Sequence, residues 1–188
     1  DPGYNIEWGG QFKNLERARK KLLIIVPITL FGIFFLVYTM TNSFLQTATI
    51  FTSVPLGLAG GVILLFLRDM NFSVSAAVGF IALSGIVVLN SLVLVNSINQ
   101  LFLEFGEPDR AIRTGALSRL RPVTMTALVA GLGFLPMAFN TGMGSEVQRP
   151  LATVVLGGLF SSTLLTMLVV PVLLSYVFKI KQVRRKKG

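Results

Sequence analysis

What most constrains this chain is where its charges are missing. Its 17 basic and 8 acidic side chains all lie outside four stretches, residues 22–67, 70–103, 122–145 and 150–178. The first of these divides in two at Thr41–Phe44. A Lys, Arg or Asp at the centre of a spanning helix costs about 2.5–3.5 kcal/mol, so lipid demands this exclusion and a soluble core does not. Crossing a hydrocarbon layer of about 30 Å takes about 20 apolar residues. The spans read from the sequence are Leu22–Met40, Leu45–Leu67, Val74–Ile98, Thr124–Phe139 and Leu151–Phe178. The fold expected is an all-α membrane protein with five transmembrane helices. The fourth span is the shortest and holds Pro136 near its end.

Composition excludes several other classes. Only 13% of residues are charged against 53% hydrophobic, where a soluble domain has roughly 25% charged. The net charge of +9 would suggest nucleic acid in a soluble protein. Here the basic residues flank spans and meet anionic headgroups, so membrane lipids are the expected partner and nucleic acid is not. With neither Cys nor His, disulfides and the usual zinc or copper ligand sets are ruled out. No metal, cofactor or catalytic residue is expected. The opening Asp1-Pro2-Gly3 has no methionine or basic n-region and reads as the start of a fragment.

Five spans place the two ends on opposite sides. Arg110, Arg113, Arg119 and Arg121, with Lys179, Lys181, Arg184, Arg185, Lys186 and Lys187, make ten basic residues on one side. Lys13, Arg17, Arg19, Lys20, Lys21, Arg68 and Arg149 make seven on the other. The positive-inside rule then predicts an N-terminus outside and a C-terminus in the cytoplasm.

Between the spans, Tyr4, Ile6 and Trp8 alternate with polar residues or glycine as in one half-buried strand. Gln11–Lys21 reads as an interfacial helix. Residues 107–120 read as a second one on the cytoplasmic face, with Pro108 in its first turn. Residues 179–188 form a basic tail. Gly57 and Gly61 make a small-xxx-small pair suited to close helix packing. Polar residues inside spans are functional candidates. Asn90 shares a face with Ser97, and Ser84 with Ser91; the simpler reading is hydrogen bonding between helices. Arg119 and Thr126 stand seven apart across Pro122, on one helical face. Their plainer roles are snorkelling to headgroups and bonding within the helix. No side chain that changes charge near neutral pH lies inside any span, so a proton carrier would have to come from another segment.

Several strings together carry a resemblance. They are Gly3-Tyr4-Asn5-Ile6-Glu7-Trp8-Gly9-Gly10-Gln11-Phe12, Val78-Gly79-Phe80-Ile81-Ala82-Leu83, Leu94-Val95-Asn96-Ser97-Ile98-Asn99-Gln100, the run from Gly115 to Leu128, and Thr141 to Val155. They resemble the C-terminal membrane half of resistance-nodulation-division efflux transporters. Glu146-Val147-Gln148-Arg149-Pro150-Leu151-Ala152-Thr153 favours the heavy-metal branch. The resemblance implies the last five of twelve spans, residues 20–178, following the end of a periplasmic porter subdomain and interfacial helix in residues 1–19. It implies a secondary active transporter and not an enzyme: an inner-membrane homotrimer exchanging protons for cargo. Its partners would be its own N-terminal half, a periplasmic adaptor and an outer-membrane channel. Arg119, Thr126 and Asn90 match positions that support the proton relay in the drug branch. Leu89 and Val123 stand where other members carry a charged residue, which favours divalent cations as cargo. Export of organic compounds is one alternative, and a membrane anchor or assembly partner without transport of its own is another.

Overall fold

The computed structural model describes residues 11–187; the strand expected at Tyr4–Trp8 lies outside them. Five helices follow one another: α1 (Gln11–Thr41), α2 (Phe44–Leu67), α3 (Val74–Phe105), α4 (Pro108–Phe139) and α5 (Ser145–Lys187). Each is long and apolar enough to cross a membrane. The chain is therefore a five-helix membrane domain.

The turns are set by residues that tolerate unusual backbone angles. Asn42 and Asp69 take φ of 47° and 49° in the first two connections, a conformation Asn and Asp adopt more readily than other side chains. Ser73 caps α3 by accepting from the Ala76 N–H at 3.2 Å. Gly106, at φ 69°, closes α3 in the left-handed conformation, its N–H donating to Phe102 O at 3.0 Å. Pro108 and Asp109 then open α4, a proline whose missing N–H costs nothing there and an acid that suits the helix dipole.

Three helices outrun the sequence boundaries. The polar segment expected as a separate interfacial helix continues into the first span as α1, through Pro27. Residues 107–120 and the fourth span form one helix, α4, which passes Pro122 and Pro136 unbroken. The basic tail continues α5 to Lys187. Extending a formed helix is far easier than starting one, and Lys, Arg and Gln are good helix formers. Each internal proline removes one backbone donor, which membrane helices tolerate when neighbours hold them. In α4 that support is visible: Ala111, Ile112 and Gly115 are buried, and Gly115 sits against Ile98 of α3.

α3 runs through the middle, with Leu83, Val87, Leu94, Val95 and Ile98 fully shielded. α2 and α5 pack against it and each other, and α4 lies along α3 and α5. α1 is attached by little more than Val37, Ile33 and the Phe34–Phe51 edge contact at 5.0 Å. Leu23, Ile24, Phe31 and Phe35 on α1, and Val129 and Leu132 on α4, are more than half exposed. In a membrane domain such surface faces lipid or other membrane helices.

Candidate functional site

The tightest feature is the crossing of α2 with α5. Gly57 and Gly61, the pair singled out by spacing, both lie in it. A Cβ on Gly57 would come within 2.7 Å of Val87 Cγ2 and 3.0 Å of Ser162 Cβ; one on Gly61 would meet Phe80 and the Val154 carbonyl at 3.0 Å. Sequence reading passed over Gly60, where a Cβ would overlap Ser161 and the carbonyl of Gly157. It also passed over Gly157, which answers from α5, and its neighbour Gly158, which sits against α3, where a Cβ would overlap Leu83. Ser161 Oγ donates to Gly57 O at 2.7 Å, tying the two helices at their closest approach.

Polar side chains form a seam between α2 and α3. Ser53 and Ser91 share a hydrogen bond of 2.6 Å. One end of the bundle holds a reciprocal amide pair, with Gln46 Nε2 donating to Asn99 Oδ1 at 2.9 Å and Asn99 Nδ2 to Gln46 Oε1 at 3.2 Å. Ser84 bonds within its own helix, to Ile81 O at 2.7 Å, so of the Ser84–Ser91 face only Ser91 reaches across. Gln46 is 3% exposed. Gln46→Leu is therefore expected to destabilise the bundle by about 1–2 kcal/mol, because Asn99 loses both of its hydrogen bonds to Gln46. The double variant Gln46→Leu/Asn99→Leu should recover part of that loss in a thermal unfolding series. Equal stability of the single variant and wild type would show that the pair contributes nothing.

Arg119 and Thr126 lie on one continuous helix, two turns or about 10 Å apart. Arg119 is half-buried and Thr126 exposed. Thr126 Oγ1 donates to Pro122 O at 2.9 Å, within its own helix. Gly115 beside Ile98 sets the antiparallel register of α4 on α3. That register puts Asn90 at a level between Arg119 and Thr126. Asn90 is half-buried and has no hydrogen bond among the described residues. Leu89 beside it is exposed, and Val123 is buried. No hydrogen bond among the described residues joins the three, and Thr126 bonds only its own helix. Among the described residues no three His, Cys, Asp or Glu side chains converge.

At the other end, Arg68 joins three helices. It follows α2, donates from Nη1 to Thr153 Oγ1 of α5 at 2.6 Å and from Nη2 to Ala138 O of α4 at 2.7 Å, and lies 5.1 Å from the centre of the Phe139 ring. Thr153 Oγ1 in turn points at Met70 Sδ, 3.6 Å away. The sequence shows Arg68 only as a loop charge, since its partners lie 70 and 85 residues further on.

Residues 1–178 match the model of the AcrB/AcrD/AcrF family. The chain belongs to that family. Among its curated relatives are the nickel and cobalt resistance protein CnrA of Cupriavidus metallidurans, 56% identical over 95% of this chain, and the nickel-cobalt-cadmium resistance protein NccA of Alcaligenes xylosoxydans xylosoxydans, 52% identical over all of it. The cation efflux system protein CusA of Escherichia coli is 37% identical over 90%. The chain covers 16–17% of the length of these relatives. A crystal structure of a heavy metal efflux pump superposes with a TM-score of 0.81 at 43% identity, over 96% of this chain and 18% of that one. The resemblance to the heavy-metal branch of resistance-nodulation-division transporters thus holds across nearly the whole AcrB/AcrD/AcrF segment.

Proposed function

We propose that this domain is the C-terminal membrane portion of a proton-driven exporter of divalent heavy-metal cations in the bacterial inner membrane. The observation that carries the reading is the ranking of relatives. Proteins named for resistance to nickel, cobalt, cadmium or zinc are 52–56% identical, whereas the cation efflux proteins CusA and SilA are 37% and 32% identical. The uncharged Leu89 and Val123 agree with that ranking.

In this reading the domain carries no proton itself. Its apolar spans pack against the N-terminal half, whose acid takes up and releases the proton. Arg119, Thr126 and Asn90 serve as supporting polar groups at that contact. The Gly57–Gly61 crossing transmits the resulting motion as a rigid unit. The C-terminus lies in the cytoplasm, and the transporter works as a homotrimer with a periplasmic adaptor and an outer-membrane channel.

The test uses the full-length transporter in proteoliposomes with an imposed proton gradient, loaded with zinc, cobalt or nickel ions. Metal movement that collapses when the gradient is dissipated supports the reading. Movement indifferent to the gradient, or of organic compounds only, refutes it. Arg119→Ala is expected to lower gradient-driven transport by about tenfold or more, in the range of 1–3 kcal/mol typical of coupling between sites. The trimer should still assemble. Wild-type transport by this variant at normal expression would remove Arg119 from the relay.

A further inference from the structure

We infer that the groove between α4 and α5 holds an anionic phospholipid, its acyl chain along the groove and its head group among the exposed cations Arg113, Arg121 and Lys179 beyond the groove's mouth. The groove encloses about 690 Å³ and is walled by Leu120, Leu128 and Leu135 of α4 with Phe160, Leu164 and Leu168 of α5. It exists because α4 withholds bulk there. Ala127 and Gly131, one turn apart, line it, and a Cβ on Gly131 would meet only Leu156, at 3.8 Å. Thr124 and Thr163 also line it, but each hydroxyl is committed to its own helix, to Leu120 O and Leu159 O at 2.7 Å. The walls therefore ask for hydrocarbon. From Leu120 to Leu135 is about 22 Å of helix, enough for a chain reaching through one leaflet of a layer about 30 Å thick.

Charge decides which apolar occupant fits. Seven residues before Leu128 and Leu120 stand Arg121 and Arg113, on the same stripe of α4. Eleven residues after Leu168, at the rim of the groove, Lys179 continues that rim of α5. All three are exposed and none is in an ion pair among the described residues; Asp109, four residues before Arg113, forms none with it. Beyond the opposite end, the first charges on α5 are Glu146 and Arg149, of opposite sign. An apolar channel with cations at one end only matches a lipid with an anionic head.

The experiment takes the purified full-length transporter, equilibrated with equal phosphatidylglycerol and phosphatidylcholine, and reads retained lipid by native mass spectrometry. The expected result is preferential retention of phosphatidylglycerol. Arg113→Gln/Arg121→Gln/Lys179→Gln should lower that preference by about tenfold, with the trimer intact by gel filtration. Gly131→Phe, which fills the groove, should lower retention of both lipids. Equal retention of the two lipids by wild type overturns the inference, as does an undiminished preference in the triple variant. A photo-crosslinker at Leu132 that captures protein in membranes and no lipid overturns it too. Should Gly131→Phe fail to assemble, the charge variant alone decides.

Discussion

Gly60→Val is expected to abolish assembly of the full transporter or to lower its stability by about 3 kcal/mol or more. The cause is backbone meeting backbone. A Cβ on Gly60 would overlap the Gly157 carbonyl, and a Cβ on Gly157 would overlap the Gly60 carbonyl and come within 2.7 Å of Leu64 Cβ. A side-chain tip can rotate away from a new methyl; a carbonyl fixed in a helix cannot. α2 and α5 would have to move apart, and with them the 2.7 Å bond from Ser161 to Gly57 O. Overpacking a close-packed interior ordinarily costs about 1–3 kcal/mol, and a rigid obstacle puts this case at the top of that range. Helix propensity works the other way, since replacing a helical glycine by alanine gains roughly 0.5–1 kcal/mol, but that is too small to offset the clash. Gly32 of α1 provides the contrast. Nothing lies within 4 Å of a Cβ there, so Gly32→Ala should be neutral or slightly stabilising. The measurement is trimer yield and thermal midpoint in detergent for both variants. Normal assembly of Gly60→Val would mean that the α2–α5 contact is not the close crossing described above.

The architecture was legible because lipid writes its demand one residue at a time. Each charge-free span became a helix, and α1 gives way to α2 at the break the sequence marks at Thr41–Phe44. Helix continuity was harder to read. Pro122 looks like a boundary in sequence, yet Gly115 nested on Ile98 holds the segment before it in line, and that contact joins residues 17 apart on different helices. The site divides in the same way. Gly57 and Gly61 follow a local spacing that any single helix reveals. Gly60 stands next to them unnoticed because its importance depends on Gly157, on another helix. Gln46–Asn99 and Ser53–Ser91 are likewise pairs between helices, and a lone sequence gives no register for them. Arg119, Thr126 and Asn90 differ again. Their surroundings within the described residues explain only Thr126, which bonds its own helix.

Arg68→Ala should cost about 2–4 kcal/mol, the second largest effect expected outside the helix crossing. A hydrogen bond from a charged donor contributes about 1.5–3 kcal/mol, and Arg68 makes two, to different helices. Ala138 is the next-to-last residue of α4, so its carbonyl is one of the four that a helix leaves without an internal partner. Arg68 supplies that partner, and it also brings a positive charge to the C-terminal ends of α2 and α4, where the helix dipoles favour one. Truncation leaves the carbonyl and Thr153 without their donor and frees the end of α4 from α5. Arg68→Lys should recover less than half of the loss, because one ammonium cannot reproduce a planar fork reaching two acceptors in different directions. Packing and hydrogen bonding are separated by a double-mutant cycle with Thr153→Val. If the fork is what matters, the two changes are strongly non-additive, with a coupling of about 0.5–3 kcal/mol, and Thr153→Val alone weakens the contact between α2 and α5 while sparing α4. If Arg68→Ala and Thr153→Val add without coupling, the bond to Thr153 contributes nothing and Arg68 acts through Ala138 O and its charge at the helix ends.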